Sequence, residues 1–188
     1  MGKRADFDRR ERDFYPTPLA PVIALKRWLQ PGFRYVEPCA GNGGLIRHLA
    51  AIGGVCTWYS DLETGADARN ISEIWAIGAD YIITNPPWPA VGGRGDPTIE
   101  IIERCMSVRT TIVLLSADFA HNGYFAERLE RNCWHILSVG RVKWIEGSAN
   151  IGKDNCAWYV FDRATCRRTE FHNSIVGECD LPICSTPG

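Results

Sequence analysis

Several common features are missing from this 188-residue chain, and each absence removes a class of protein. No apolar run comes near the roughly 18 residues that a membrane span requires. The N-terminus MGKRADFDRRERD is charged where a signal peptide needs an apolar stretch. A soluble, cytoplasmic protein is expected. The eight cysteines, at 39, 56, 105, 133, 156, 166, 179 and 184, form no CxxC pair. With nothing secretory around them they read as free thiols, not as a disulfide framework. An excess of charge of one sign is also lacking: the net charge of -1 gives no global sign of a nucleic-acid partner. Repeats and low-complexity tracts are absent. His48, His121, His135 and His172 are scattered without metal-ligand spacing, so each is expected to be structural or exposed, and no metal is expected.

What is present points to one α/β domain over residues 1–188. Hydrophobic residues make up 45% of the chain, enough for one continuous core at this length. From Tyr35 to Phe161, short β-rich runs alternate with helical ones, the pattern of a doubly wound, mostly parallel sheet with helices on both faces. RYVEP reads as the first strand and GLIRHLAAIG as the helix after it, with Leu45, Ile46, Leu49 and Ile52 at helical spacing. VCTWYSD, ADYIIT and TTIVLLSA read as further strands; NISEIWAIG, PTIEIIERCM and FAERLERN read as helices. HILSVGRVKW and CAWYVFD form an antiparallel-capable pair at the C-terminal side. The span from Asp61 to Asn85 is too short for a full helix, strand and helix, so one crossover is trimmed near Thr64 to Asp67. Residues 1–12 form a basic arm with Lys3, Arg4, Arg9, Arg10 and Arg12, and residues 163–188 read as an irregular tail. Arg104, Arg109, Arg141 and Lys143 are further basic positions; solvated surface is the plainer reading of each.

Chemistry concentrates in two stretches. Glu37-Pro38-Cys39-Ala40-Gly41-Asn42-Gly43-Gly44 runs from a strand end through a glycine-rich turn into a helix. Glycine is required where the backbone takes positive φ or lies against a ligand, and a helix N-terminus offers unpaired N–H groups. Some 20 residues later, Ser60-Asp61-Leu62 ends the second strand, where a nucleotide-binding sheet places an acid for ribose hydroxyls. A dehydrogenase would share both features. Thr84-Asn85-Pro86-Pro87-Trp88 makes the distinction. It follows the apolar strand ADYII at the carboxyl edge of the sheet. The two prolines fix the backbone without donating hydrogen bonds, leaving Asn85 Oδ1 and the Pro86 carbonyl free to hold one amine. Trp88 offers a face for a base, a contact worth about 1–3 kcal/mol. An exocyclic aromatic amine is a poor nucleophile because its lone pair is delocalised; two acceptors on its hydrogens favour a tetrahedral nitrogen that can attack a methyl carbon held in line.

With these motifs, the chain resembles the Rossmann-fold amino-methyltransferases, in particular the small phage-type DNA N6-adenine methyltransferases, over roughly residues 13 to 162. EPCAGNG resembles the family's cofactor loop, Asp61 its ribose acid and NPPW its catalytic tetrapeptide. Asp13-Phe14-Tyr15-Pro16-Thr17-Pro18 resembles a segment that packs over the methionine end of the cofactor, and this motif order is that of the gamma group. The resemblance implies S-adenosyl-L-methionine as cofactor, held by Tyr15, Thr17, Pro18, Glu37, Pro38, Cys39, Gly41, Gly43, Asp61 and Leu62, with Asp67 recognising its adenine. It implies Asn85, Pro86, Pro87 and Trp88 as catalytic residues. GRVKW resembles a late motif in which Lys143 and Trp144 meet the substrate, Trp144 as a second wall opposite Trp88; a core aromatic on a strand is an equal reading of Trp144. Larger members carry a separate target-recognition domain, for which this chain has too few residues after Phe161, so specificity is expected from the loops 89–97, 118–124 and 146–155.

DNA is the expected partner. RNA adenine and a protein glutamine amide stay open as acceptors, because the same Asn-Pro-Pro-aromatic arrangement serves both. Cys39 reads as a packing residue, since cytosine-C5 chemistry, which uses a cysteine, has no need of an amine clamp. A catalytically silent nucleic-acid-binding module is the non-enzyme alternative.

Overall fold

The computed structural model describes residues 16–89, 95–144, 154–166 and 168–173. Its elements run α1 (Leu19–Leu25), β1 (Arg34–Glu37), α2 (Gly44–Ala51), β2 (Val55–Tyr59), β3 (Tyr81–Thr84), α3 (Thr98–Val108), β4 (Thr111–Ser116), α4 (Gly123–Arg128), β5 (Cys133–Arg141), β6 (Asn155–Phe161) and β7 (Glu170–Asn173). The seven strands form one sheet in the order β2-β1-β3-β4-β6-β5-β7. β6 is antiparallel to both its neighbours, and every other pairing is parallel. The expected doubly wound α/β sheet with an antiparallel pair near its C-terminal side is therefore present.

Strand alternation sends side chains to two different cores. Ile112 and Leu114 of β4 with Trp158 and Val160 of β6 face α1 and α2, where Val22, Leu25, Leu45 and Leu49 are buried. Val113 and Leu115 with Tyr159 and Phe161 face the other way, onto Ile99 and Ile102 of α3 and Phe125 of α4. Helix α3 carries two apolar stripes. Ile99, Ile102 and Met106 meet that core, while Ile101, Cys105 and Val108 meet a third cluster with Val36, Ile82 and Ile71. An Ile102→Ala change would open a cavity under fully buried sheet at a cost of about 2–5 kcal/mol.

Three sequence expectations are corrected and one element is added. The β2–β3 crossover contains three 3₁₀ turns, Leu62–Thr64, Ala68–Asn70 and Glu73–Ala76, so NISEIWAIG holds a single tight turn and not a helix. Exposed Ile74 and Ile77 deprive that stretch of a continuous apolar face for a helix to bury. FAERLERN is helical only to Arg128 and tightens into a 3₁₀ turn at Glu130–Asn132. The tail is not irregular throughout, because β7 pairs in register with β5, His135 opposite Glu170 and Leu137 opposite His172. Helix α1 is an added element; the Trp158 indole N–H donates to the Pro21 carbonyl at 2.8 Å and fastens it to the sheet.

Six cysteines lie among the described residues and all are free thiols. No described helix is long and apolar enough to cross a membrane. The basic arm, Tyr15, residues 90–94, residues 145–153 and the tail after Asn173 lie outside the described residues, as do parts of the loops expected to give specificity. Arg104 and Arg109 serve the fold: the Arg104 Nε–H donates to the Ile71 carbonyl at 2.7 Å and an Arg109 guanidinium N–H to the Ala76 carbonyl at 3.4 Å.

Candidate active site

The carboxyl ends of β1, β2 and β3 deliver the sequence-predicted groups to one edge of the sheet, where open α/β folds bind ligands. The loops after β1 and β2 are tied together by backbone bonds: Ser60 N–H donates to Glu37 O at 3.0 Å and Ala40 N–H to Ser60 O at 2.8 Å. Gly41 N–H donates to Asp61 Oδ2 at 2.8 Å, so the acid after β2 holds the glycine turn in shape. Its other oxygen accepts from Glu63 N–H at 3.0 Å, capping the following 3₁₀ turn. Each carboxylate oxygen keeps further acceptor capacity. Gly43, the N-cap of α2, has φ of 75°, the left-handed region that excludes most other residues. Asn42 Oδ1 accepts from the next N–H, that of Gly44, at 3.0 Å.

Glu37 is fully buried at the end of β1. Its Oε1 accepts from Cys39 N–H at 2.9 Å and from the Thr84 hydroxyl at 2.5 Å. Its Oε2 is buried with no hydrogen-bond partner among the described residues. Burial pushes the carboxyl up to about 8, and neighbouring Asp61 adds to the rise, although Thr84 and the Cys39 N–H pull it down. Burial likewise drives the Cys39 thiol well above its ordinary value, which suits a packing residue and not a nucleophile. Pro38 is buried beside it, whereas Leu62 is exposed.

Asn85 is held from two sides. Its Nδ2 donates to Thr17 Oγ1 at 3.1 Å, and its Oδ1 accepts from the Trp88 indole N–H at 3.1 Å. An indole N–H can only donate, so the atom facing it must be the amide oxygen. The expectation of a wholly free Oδ1 is thus corrected: one lone pair takes Trp88, and the other remains. Trp88 shares the same N–H with the Leu114 carbonyl at 3.1 Å, which locks its ring to β4. Pro86 is buried, and the Pro87 carbonyl accepts from the Thr98 hydroxyl at 2.6 Å at the start of α3. Thr17, buried ahead of α1, also presents its carbonyl 3.0 Å from His48 Nδ1 of α2. The segment before the glycine loop therefore touches both the loop's helix and the Asn-Pro-Pro-Trp turn. Pro18 is the N-cap of α1.

The other expected residues fall differently. Asp67 caps the second 3₁₀ turn and pairs with Arg69 at 2.6 Å, and Arg69 also reaches Glu100 at 3.2 Å. The Arg69 hydrogen bonds hold the Asp67 carboxyl below its usual value. Trp144 does not stand apart from Trp88 as a facing wall. Their centroids are 5.4 Å apart at 88°, an edge-to-face contact that leaves no slot for a base between the two rings. Lys143 is exposed next to buried Val142. Two participants were not legible as such: Thr84, whose hydroxyl meets Glu37, and the Leu114 carbonyl, which any residue could supply.

Comparison with solved structures shows that this fold is similar to that of several proteins assigned as methyltransferases. The methyltransferase subunit of a type I restriction-modification system from Streptococcus thermophilus superposes with a TM-score of 0.56 at 12% identity, over 85% of this chain and 47% of that one. A protein assigned as an RNA methyltransferase from Pyrococcus horikoshii gives 0.58 at 16% identity, over 81% of this chain and 89% of that one. A protein assigned to the class I S-adenosylmethionine-dependent methyltransferases from Listeria monocytogenes gives 0.52 at 11% identity, over 86% and 66%. This chain spans about half the length of the restriction-modification subunit it matches. No protein-family model and no curated protein matches it by sequence.

Proposed function

We propose that this chain is an S-adenosylmethionine-dependent methyltransferase whose acceptor is the N6 amine of adenine in DNA. One observation carries the reading: Asn85, in an Asn-Pro-Pro-Trp turn at the carboxyl edge of the sheet, is fixed by Thr17 and Trp88 next to a glycine loop closed by Asp61. The site also fits the cofactor's charge. Glu37 brings to the loop a buried carboxyl oxygen with no hydrogen-bond partner among the described residues, and a positively charged ligand beside it would favour the ionised form that burial alone disfavours. S-adenosylmethionine supplies a methyl group on a sulfonium, which needs only an aligned nucleophile.

Gly41, Gly43, Pro38 and Cys39 form the loop that holds the cofactor, Asp61 takes its ribose hydroxyls, and Thr17, Pro18 and Tyr15 cover its amino-acid end. Leu62 and Asp67 border the adenine, Asp67 with its charge shared with Arg69. The remaining lone pair of Asn85 Oδ1 and the Pro86 carbonyl accept the two amine hydrogens. Bound S-adenosylmethionine would supply the methyl group, and Asn85 and Pro86 would hold the amine with its lone pair free to take it and its surplus proton free to pass to water. Pro87 stiffens the turn. Trp88 stacks on the base, with Trp144 in edge-to-face contact beside it and exposed Lys143 placed for a phosphate. An adenine inside a duplex has to leave the stack to reach Asn85.

RNA adenine is the second reading, favoured by the Pyrococcus horikoshii neighbour, of which this chain covers 89%. Transfer of labelled methyl from S-adenosylmethionine to unmethylated duplex DNA, single-stranded DNA, total RNA and a protein extract, followed by nucleoside digestion and mass identification, decides between them. N6-methyladenine in DNA is the expected product; label confined to RNA or protein keeps the mechanism and replaces the acceptor. Asn85→Ala is expected to abolish nearly all turnover while sparing cofactor affinity, and wild-type turnover in that variant would refute the amine clamp.

A further inference from the structure

The far edge of the sheet, remote in topology from the glycine loop, holds a cluster that the proposed activity leaves unused. His135 of β5 and His172 and Glu170 of β7 come together because the two strands pair in parallel register. His135 lies opposite Glu170, and His172, two residues further along β7, falls on the same face. No spacing in the sequence signals this, since His135 and Glu170 are 35 positions apart and strand pairing is what unites them.

The three ligand atoms form a small triangle. His135 Nδ1 lies 3.2 Å from His172 Nε2, and both nitrogens lie 3.6 Å from Glu170 Oε2. The point equidistant from the corners of such a triangle is about 2.0 Å from each, which is the length of a Zn–N or Zn–O bond. Both histidine side chains are mostly buried, at 18% and 17% exposure, while that of Glu170 is 57% exposed, so the triangle is walled on one side and open to water on the other. Trp28, itself buried, supplies the wall, with its ring 4.5 Å from that of His172 in an edge contact.

We propose that His135, His172 and Glu170 form a binding site for a first-row divalent metal, zinc above all, which clamps strand β7 to the sheet. Two imidazole nitrogens and one carboxylate oxygen are a borderline donor set that suits zinc, and poorly suits magnesium or calcium, which take oxygen ligands. Three protein ligands leave a fourth tetrahedral position for water on the exposed side. Metal binding requires the lone pairs of both facing nitrogens, so the proton now shared between them in a hydrogen bond leaves or moves to the far side of a ring. The consequence is mechanical. β7 has four residues and, among the described strands, pairs only with β5, and a metal bridging the two strands removes its freedom to fray.

The test uses the full chain without a polyhistidine tag, dialysed against chelator and then titrated with zinc. One zinc per chain is expected, together with a higher Tm and slowed amide exchange at Glu170–Asn173. Cobalt substitution separates this site from the cysteines: nitrogen and oxygen ligation gives d–d bands without a thiolate charge-transfer band. His172→Ala is expected to weaken zinc binding by about tenfold or more. Glu170→Gln, at an exposed side chain that the fold does not depend on, is expected to weaken it comparably, which keeps the test valid if the histidine variant fails to fold. Absence of zinc uptake at micromolar concentration, a cobalt spectrum dominated by thiolate, unchanged affinity in Glu170→Gln, or magnesium producing the same exchange protection would each overturn the assignment.

Discussion

Replacing Thr17 by valine keeps the branched shape of the side chain and removes the hydroxyl that accepts from Asn85 Nδ2 at 3.1 Å. The Thr17 backbone carbonyl, which meets His48, is untouched by the change. Thr17 is 4% exposed, so water has little access to replace the lost acceptor. An amide donor left unsatisfied in such a place costs about 1–3 kcal/mol. Since Asn85 can recover that energy by rotating towards another partner, the cost falls on the geometry of the amine clamp, and the barrier rises by a similar amount. At about 1.4 kcal/mol per tenfold in rate, kcat should fall roughly fivefold to a hundredfold. The assay is steady-state methyl transfer with saturating S-adenosylmethionine, alongside a direct measurement of cofactor affinity. Thr17→Ser restores the hydroxyl and is expected to recover most of the loss. Valine turning over like the wild type, or serine failing as badly as valine, would refute the idea that Thr17 orients Asn85. A loss confined to cofactor affinity would instead make Thr17 a cofactor contact alone.

Trp88→Phe keeps an aromatic face but deletes the N–H shared by Asn85 and Leu114, so kcat should drop about tenfold, with Trp88→Ala losing a further 1–3 kcal/mol of stacking; equal rates for tryptophan and phenylalanine would remove the indole N–H from the argument. Asp61→Ala should weaken cofactor binding by roughly tenfold to a hundredfold before it touches kcat, because the Gly41 N–H loses a charged acceptor; unchanged affinity by calorimetry would refute that role. Glu37 titrates at about 8 in the fold, against 4.5 for the exposed group, so the folded protein holds its proton more tightly than the unfolded chain. The stability it contributes is complete below about pH 4.5 and is lost as pH rises through about 8, a swing on the order of a few kcal/mol. Urea unfolding of the cofactor-free protein at pH 5, 7 and 9 should show this decline, and Glu37→Gln should flatten it; an identical pH slope in the variant would show that Glu37 is not the group responsible.

The sheet was legible because each central strand had a local signature. β4 is apolar from Ile112 to Leu115, as the centre of a strand buried on both faces is, and α3 repeats its isoleucines at helical spacing. The glycine loop and the Asn-Pro-Pro-Trp turn could be recognised because unusual backbone needs unusual residues. What escaped notice was either non-local or permitted by any sequence. Helix α1 has a signal, Val22, Leu25 and Leu29 at helical spacing before Pro31-Gly32, but it precedes the first strand and so lies outside the α/β alternation. β7, four residues with one partially buried side chain, has too weak a pattern to distinguish it from a tail. Trp144 was expected across a gap from Trp88, yet no spacing rule fixes the angle between two aromatic rings brought together by different loops.

The position of Thr17 explains why a segment 20 residues ahead of the glycine loop's first glycine-side acid belongs to the site at all. Its carbonyl meets His48 on the helix that follows the glycine loop, and its hydroxyl meets Asn85 on the turn that follows β3. The two loops are consecutive neither in sequence nor in function, since one shapes the cofactor's berth and the other the acceptor's. A residue that bonds to the helix behind one loop and to the other loop itself couples their spacing, and in-line attack depends on that spacing at the level of a fraction of an ångström. Helix α1, pinned to β6 through Trp158, gives that residue a rigid mount. The helix that the sequence pattern left out is thus what holds the two recognisable motifs in register with each other.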